Sequence, residues 1–248
     1  MTALIAADLL KLRRRTGLWW SALMLPFVLA SVVFLLAATE TIDLDGGQQF
    51  VRDGTSSLAF IGPILAVLVG ARLGSDEHAA GTLRYQLLTG VPRERLYLSK
   101  LAVLAITCLG LVVLGATAVV VFGLVLPAEA GTEGVGGGDV VDAYWNLFIR
   151  CFVYGVISFG TGALVRSTGP AITVSLVLLL FGVDLVAILV LIDDWFRHLV
   201  LDVGLDRLTT NDLDADDRVS FGAALIITVA WPAAFAFAGW LRLRNLEA

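Results

Sequence analysis

Side chains that could carry out catalysis are few in this sequence, and they are far apart along the chain. Cys108 and Cys151 both fall inside apolar runs, where neither a disulfide framework nor a zinc site is plausible, so we expect both to pack in the protein interior. Ser158, within GVISFGTG, has no membrane histidine or lysine that could activate it as a nucleophile. His78 and His198 belong to polar segments that the topology below places on opposite sides of a membrane. The sequence therefore predicts neither a catalytic site nor a metal site within one chain.

The sequence also lacks the pattern of a phosphate-binding loop. Nucleotide-binding proteins of the Walker type need G-x-x-x-x-G-K-[ST], in which the lysine contacts the β- and γ-phosphates. The only lysines are Lys11 and Lys100, and neither follows a glycine. We therefore expect that this chain does not bind ATP by itself, is not an enzyme and carries no cofactor of its own.

Two charged residues lie in or near apolar runs, and their similar distances from the turn that joins these runs predict an ion pair. Asp184 is the one acid inside such a run, and an intramembrane charge needs a partner. The tight turn at 166–169 makes the flanking runs an antiparallel hairpin, and at 1.5 Å per residue Arg150 and Asp184 lie about 24 and about 21 Å above it. We predict an Arg150–Asp184 pair in the outer third of the membrane. A structural role that fixes the hairpin is favoured, and a proton or substrate relay stays open.

The composition places these residues in a membrane protein. Of the 248 residues 58% are hydrophobic and 16% charged, which lies well outside the range of soluble globular domains. A helix needs about 18 or more apolar residues to cross the hydrocarbon core. The sequence predicts an all-α, polytopic fold with six transmembrane helices in a single transmembrane domain, 1–248. The predicted spans are 17–38, 56–73, 101–126, 144–165, 170–192 and 221–241.

The first run follows a basic stretch, so a cleaved signal peptide is its competing interpretation. The run of 17–38 is longer than the roughly 7–15 residues of a signal-peptide core, and five more spans follow, which favours a retained span.

The distribution of positive charge predicts the orientation. Positively charged residues near span ends stay in the cytoplasm. Twelve of the 17 Lys and Arg residues fall on the side of the two termini, and sixteen of the 22 acids fall on the other side. We therefore expect a multi-pass protein of the cytoplasmic membrane with both termini in the cytoplasm.

Several segments outside the spans have patterns of their own. Residues 1–16 are predicted to form an amphipathic helix in the membrane interface, since their apolar and charged residues separate at helical spacing. Segments 39–55 and 127–143 are expected to be outer loops, the second of them flexible. Segment 193–219 is predicted to contain a short amphipathic helix on the outer leaflet, and its eight acids are interpreted as solvated surface.

Small residues in the fourth span predict close helix packing. Gly155, Ser158 and Gly162 lie three and four residues apart, the spacing at which small side chains let two helices approach each other.

The segment 74–99 is the only cytoplasmic loop of any size. Ser75 is predicted to cap a short helix, with Asp76 and Glu77 in its first turn, where acids favour the helix dipole. Gly90 and Pro92 are predicted to end this helix before a second short one leads into the third span. From these residues alone, a helix in a partner's groove and a helix on the inner headgroups are equally favoured.

Motifs in this loop resemble a known family. E-x-x-x-G-T-L-R beginning at Glu77, L-L-T-G-V-P-R beginning at Leu87, and then Lys100 are similar to the loop between the second and third spans of ABC-2 type permeases. The whole layout also resembles these six-span subunits of ABC exporters. The family's usual P-V-S-R stands here as Gly90 to Arg93, with the proline two residues further along.

The resemblance implies an ATP-driven exporter made of several chains. It implies a homodimer, or a heterodimer with a similar chain, in membrane lipid, and two copies of a separate ATPase subunit that carry ATP and Mg²⁺. Nucleic acid is not expected as a partner. In this family the coupling helix, here 76–89, contacts the ATPase. The corresponding contact residues are Asp76, Glu77, Gly81, Thr82, Leu83, Arg84, Leu87 and Arg93. The family places the pathway at the dimer interface between the second and fifth spans. The corresponding wall residues are Phe60, Ile64, Leu68, Leu178 and Phe181.

Two other functions compete with that of a permease. A membrane anchor or assembly subunit that does not transport would use the same loop. A secondary transporter is disfavoured, because such carriers often contain two internal repeats and polar groups at midmembrane, and this sequence has no convincing repeat. The substrate is not encoded in any pattern found here.

Overall fold

The computed structural model describes residues 2–14, 24, 27, 28, 31, 32, 35, 47–79, 81, 90–125, 134–190, 200–209 and 219–245. These residues form seven α-helices and contain no strand, which confirms the all-α prediction. The helices are α1 (Thr2–Arg14), α2 (Gly47–Ala79), α3 (Arg93–Val125), α4 (Gly137–Val165), α5 (Thr168–Val190), α6 (Leu201–Thr209) and α7 (Phe221–Arg244).

Four of these helices are long and apolar enough to cross a membrane. They are α2, α3, α4 and α7, and α5 adds a shorter apolar stretch, Thr168–Phe181. The predicted first span, 17–38, lies outside the described residues except for six separate positions. The helices therefore fit a multi-pass membrane protein, and the number six stays a prediction.

The helices extend further than the apolar runs that predicted them. Residues 47–55 were predicted to be loop but form the beginning of α2, and residues 137–143 were predicted to be flexible but form the beginning of α4. At the latter, Asp139 accepts a hydrogen bond from the backbone N–H of Gly136 at 2.9 Å and another from Gln48 at 3.1 Å. An acid in the first turn satisfies backbone donors there, so the helix continues into the polar region.

The prediction that Ser75 begins a new helix is wrong. Residues 75–79 form the last turn of α2, and the Ser75 hydroxyl donates to the carbonyl of Ala71 at 2.7 Å, one helical turn earlier. Gly81, with φ of +66°, takes the left-handed conformation that commonly follows a helix end. Likewise, the predicted second short helix is the beginning of α3, which runs without interruption from Arg93.

The most extensive helix contact joins α2 to α4, and it uses the small residues for which close packing was predicted. A Cβ atom placed on Gly162 would lie 2.6 Å from the carbonyl oxygen of Ala71, so only glycine allows this approach. The Ser158 hydroxyl is buried and donates to the carbonyl of Val67 on α2 at 2.7 Å. The prediction of a packing role for Ser158 is confirmed.

Both cysteines are buried and free. The Cys108 thiol lies 3.7 Å from the carbonyl oxygen of Cys151, between α3 and α4. This location confirms the prediction that they pack in the interior.

The bundle has two ends with different polar groups. We call proximal the end that contains α1, the last turn of α2 and the beginning of α3, and distal the opposite end. Arg93 donates to the backbone carbonyl of Arg244 at 2.8 Å, so the end of α7 meets the beginning of α3 at the proximal end. At the distal end α6 packs on α7 and α4, with Leu205 fully buried. A short helix was predicted within 193–219, and the structure forms it at Leu201–Thr209.

Candidate functional site

Four charged residues at the proximal end form a contiguous group, which we call the Glu77 cluster: Asp8, Lys11, Glu77 and Lys100. Lys100 Nζ lies 2.6 Å from Glu77 Oε2, and Lys11 Nζ lies 3.5 Å from Glu77 Oε1 and 3.2 Å from Asp8. The cluster therefore joins α1, the last turn of α2 and the beginning of α3.

The Glu77–Lys100 pair is the strong part of this cluster. Both side chains are only 9% exposed, and Lys100 also donates to the backbone carbonyl of Leu73 at 3.2 Å. Removing one partner of a buried pair leaves an uncompensated charge and costs about 3–5 kcal/mol. The pair therefore fixes the end of α2 relative to α3.

Lys11 contributes less, because its side chain is 59% exposed and exposed ion pairs are weak. Burial lowers the pKa of Lys11, but Asp8 and Glu77 outweigh this effect and raise it above its usual value. The charged form of Lys11 is therefore favoured, and it connects α1 to the cluster.

The structure separates the predicted ATPase-contact residues into distinct groups. Glu77 is buried in its pair, and Asp76 is half-buried beside it. Gly81 is exposed, and Arg93 contacts the end of α7. The side chains of Thr82, Leu83, Arg84 and Leu87 lie outside the described residues. A buried, ion-paired Glu77 positions the helix ends and does not present its carboxylate at the surface.

Two uncharged hydrogen bonds connect other helices at the proximal end. The hydroxyls of Ser75 and Thr168 lie 2.8 Å apart and join α2 to α5. The Tyr97 hydroxyl donates to the carbonyl of Ala236 at 2.6 Å and joins α3 to α7, while its ring packs on Phe159.

Replacing Tyr97 by phenylalanine is expected to lower the free energy of unfolding by about 0.5–1.5 kcal/mol, because it removes one hydrogen bond and keeps the ring. Unfolding in mixed detergent micelles measures this loss. Tyr144→Phe is the matched control, since the Tyr144 hydroxyl makes an exposed contact with Thr117. A larger loss in the control than in Tyr97→Phe contradicts the prediction.

The five predicted pathway residues differ in exposure. Phe60 and Phe181 are 58% and 53% exposed. Ile64, Leu68 and Leu178 are half-buried within the chain. Leu68 packs against Leu65 and Leu111, and Leu178 packs against the core near α4. Among these five, Phe60 and Phe181 therefore have the most surface free for another molecule.

Arg150 has a partner at the distal end that the sequence analysis did not assign. Its guanidinium donates to Asp206 on α6, to Asn146 at 2.8 Å and to Thr209 at 3.4 Å. The side chain of Asp184 lies outside the described residues, so the Arg150–Asp184 pair stays a prediction. The contacts that Arg150 makes with described residues join α4 to α6.

Two acids of the segment 193–219 are not the solvated surface that the sequence suggested. Asp206 contacts Arg150, and Asp202 accepts a hydrogen bond from the Tyr154 hydroxyl at 2.6 Å. Burial raises the pKa of Asp202, although Tyr154 and Arg150 act in the opposite direction. Their spacing of four residues, which places both carboxylates on one face of a helix, was the available signal.

Comparisons with known proteins agree with this architecture. The sequence profile of a family described as "ABC-2 family transporter protein" matches residues 4–192. A search of curated proteins finds no match. The matched region includes most of α1, all of α2 to α5 and the Glu77 cluster. Because the match covers most of the chain and the helices suit a membrane, the chain belongs to the ABC-2 family of transporter membrane proteins, whose members are transport components and generally partner with an ABC ATPase.

Proposed function

We propose that this chain is the transmembrane permease subunit of an ATP-driven exporter in which two permease chains form the translocation pathway. Two copies of a separate ATPase subunit, each with ATP and Mg²⁺, supply the energy at the proximal end. In this proposal the proximal end faces the cytoplasm and the protein lies in the cytoplasmic membrane. The excess of Lys and Arg in the segments at that end supports this orientation.

The observation that carries the proposal is the buried pair between Glu77 and Lys100. It fixes the two helix ends between which the segment 80–92 runs. Both α2 and α3 are long enough to cross a membrane. A partner that displaces this segment therefore moves both spans together. The Glu77–Lys100 pair transmits the force to α2 and α3, whereas two helices without such a link would move separately.

In this proposal the residues that contact the ATPase follow Glu77 in the sequence and begin at Gly81. Gly81 is exposed, and a Cβ atom placed on it meets no other atom within 4 Å. Thr82, Leu83, Arg84 and Leu87 follow directly and remain the predicted contact surface. Glu77 acts behind this surface as a positioning residue.

A second permease chain is proposed to pack near α2 and α5. Phe60 on α2 and Phe181 on α5 are more than half exposed within a single chain. Large exposed aromatic side chains are common in interfaces between subunits. They therefore support the dimer interface that the family resemblance implies.

Replacing Gly81 by tryptophan is expected to lower copurification of the ATPase about tenfold or more, because a large side chain at an open position obstructs the partner's approach. The chain is coexpressed with a candidate ABC ATPase subunit that carries Walker motifs, and the recovered ATPase is measured together with the mass of the complex. The expected mass corresponds to two permease chains and two ATPase chains.

Gly81→Ala controls for the backbone strain that any side chain meets at a φ of +66°, without the bulk of tryptophan. Gly134→Trp controls for the bulk, since Gly134 is exposed at the distal end and a Cβ atom there also meets nothing within 4 Å. This variant should retain the ATPase. Equal recovery with Gly81→Trp and Gly134→Trp contradicts coupling through this segment. Full recovery without any ATP-dependent transport supports the alternative of a membrane anchor.

A further inference from the structure

A cavity of about 430 Å³ lies at the distal end, between α2, α4, α5 and α6. One of its walls is apolar and includes Phe60, Leu179 and Leu180. Ligand sites for small molecules commonly measure about 300–1,000 Å³ and are lined mainly by apolar groups with a few polar ones. The cavity therefore has the size and one wall of a small-molecule site.

The opposite wall carries more negative than positive charge. Asp202 and Asp206 line it, and Arg150 is the one cation among the described lining residues. The Arg150 guanidinium contacts Asp206, whereas Asp202 accepts a hydrogen bond from the neutral Tyr154 hydroxyl. In the described part of the chain no cation lies within ion-pair distance of Asp202. Asp202 therefore has no ion pair of its own among the described residues, and it lies opposite an apolar wall.

A smaller cavity of about 160 Å³ adjoins the first and contains a buried hydroxyl group without a partner among the described residues. The two cavities share Ser56 and Asn146 in their linings. Thr55 lines the smaller one and is 6% exposed, and its hydroxyl has no hydrogen-bond partner among the described residues. A buried hydroxyl without a partner costs about 1–3 kcal/mol. A ligand that extends into this space with a polar atom satisfies it.

We propose that the distal cavity binds an amphipathic organic cation. Its ammonium or phosphonium centre lies beside Asp202, and its apolar groups pack on Phe60, Leu179 and Leu180. An anion would meet the excess negative charge. A metal ion is a poorer fit, because the described residues contain no group of three or more His, Cys, Asp or Glu side chains that could hold one. The inference concerns a single chain and is independent of the ATPase proposal.

Equilibrium dialysis of the purified full chain in dodecyl maltoside tests this inference, with empty micelles as the background. The probes are tetraphenylphosphonium and tetraphenylborate, which have nearly the same shape and opposite charge. The cation is expected to bind at least about tenfold more tightly than the anion, which is a difference of about 1.4 kcal/mol. Asp202→Asn is expected to weaken binding of the cation by a similar factor, while it keeps an oxygen that accepts from Tyr154.

Asp53→Asn is the control, because Asp53 is an exposed carboxylate at the distal end of α2 and does not line the cavity. It should bind the cation as the wild type does. Leu180→Trp places a larger side chain in the cavity. Because Leu180 is 41% exposed, the change should not disturb the core, and it tests the site even if Asp202→Asn fails to fold. Loss of binding in either cavity variant, with Asp53→Asn unchanged, supports the site. Equal binding of the two probes, or wild-type affinity in both cavity variants, overturns it.

Discussion

Replacing Glu77 by glutamine is expected to lower the free energy of unfolding by about 3–5 kcal/mol. The change leaves the Lys100 ammonium, 9% exposed, with neutral acceptors such as the carbonyl of Leu73 in place of the carboxylate that balanced its charge. Lys100→Met is expected to cost a similar amount, because it removes the nearer of the two described lysines that pair with the buried Glu77 carboxylate. Unfolding of each purified variant by SDS in mixed micelles measures the loss.

The double variant distinguishes a coupled pair from two separate effects. Interacting residues deviate from additivity by about 0.5–3 kcal/mol, whereas distant ones add. The double replacement at Glu77 and Lys100 should therefore lose clearly less than the two single losses combined. Glu94→Gln removes an exposed carboxylate at the same end and should change stability by about 0.5 kcal/mol or less. Additive losses at positions 77 and 100 would show that the two groups do not support each other.

The apolar runs predicted where the bundle has its long helices, because hydrocarbon tolerates helices and excludes unpaired backbone groups. They did not predict where the helices end. Outside the hydrocarbon core a polar residue can be hydrated and helical at the same time. Hydropathy therefore does not distinguish a polar helical turn from a polar loop there. Asp139 and Gln48 illustrate this, since both lie in first turns that were predicted to be loop and they bond to each other. The family motifs found the correct family without resolving these ends.

Partners of charged residues were harder to predict than their positions. Lys11 and Glu77 are 66 residues apart, and Arg150 and Asp206 are 56 apart, so no local pattern links them. The height argument for Arg150 considered only the hairpin of the fourth and fifth spans. It omitted α6, which packs on α4 and brings Asp206 to the guanidinium. A short helix outside the spans thus supplies a partner for Arg150 that the height argument did not consider.

Replacing Gly70 by alanine is expected to lower the free energy of unfolding by about 1–3 kcal/mol through overpacking. Helix propensity alone predicts the opposite sign, since alanine is favoured over glycine by about 1 kcal/mol within a helix. The steric effect should win, because a Cβ atom on Gly70 would lie 2.2 Å from the carbonyl oxygen of Gly155 and 3.0 Å from the backbone nitrogen of Phe159. These are backbone atoms, so α2 and α4 must separate to accept the methyl group.

Gly110→Ala on α3 isolates the propensity effect, because a Cβ atom there meets nothing within 4 Å. This control should be as stable as the wild type or more stable, whereas Gly70→Ala should be less stable under the same SDS titration. Separation of α2 from α4 also lengthens the hydrogen bond from Ser158 to Val67, so Ser158→Ala should cost less in the Gly70→Ala background than in the wild type. A Gly70→Ala chain at least as stable as Gly110→Ala would mean that α2 and α4 are not in backbone contact. In that case the α2–α4 pair would not be the rigid body through which a displacement of the segment 80–92 reaches the rest of the bundle.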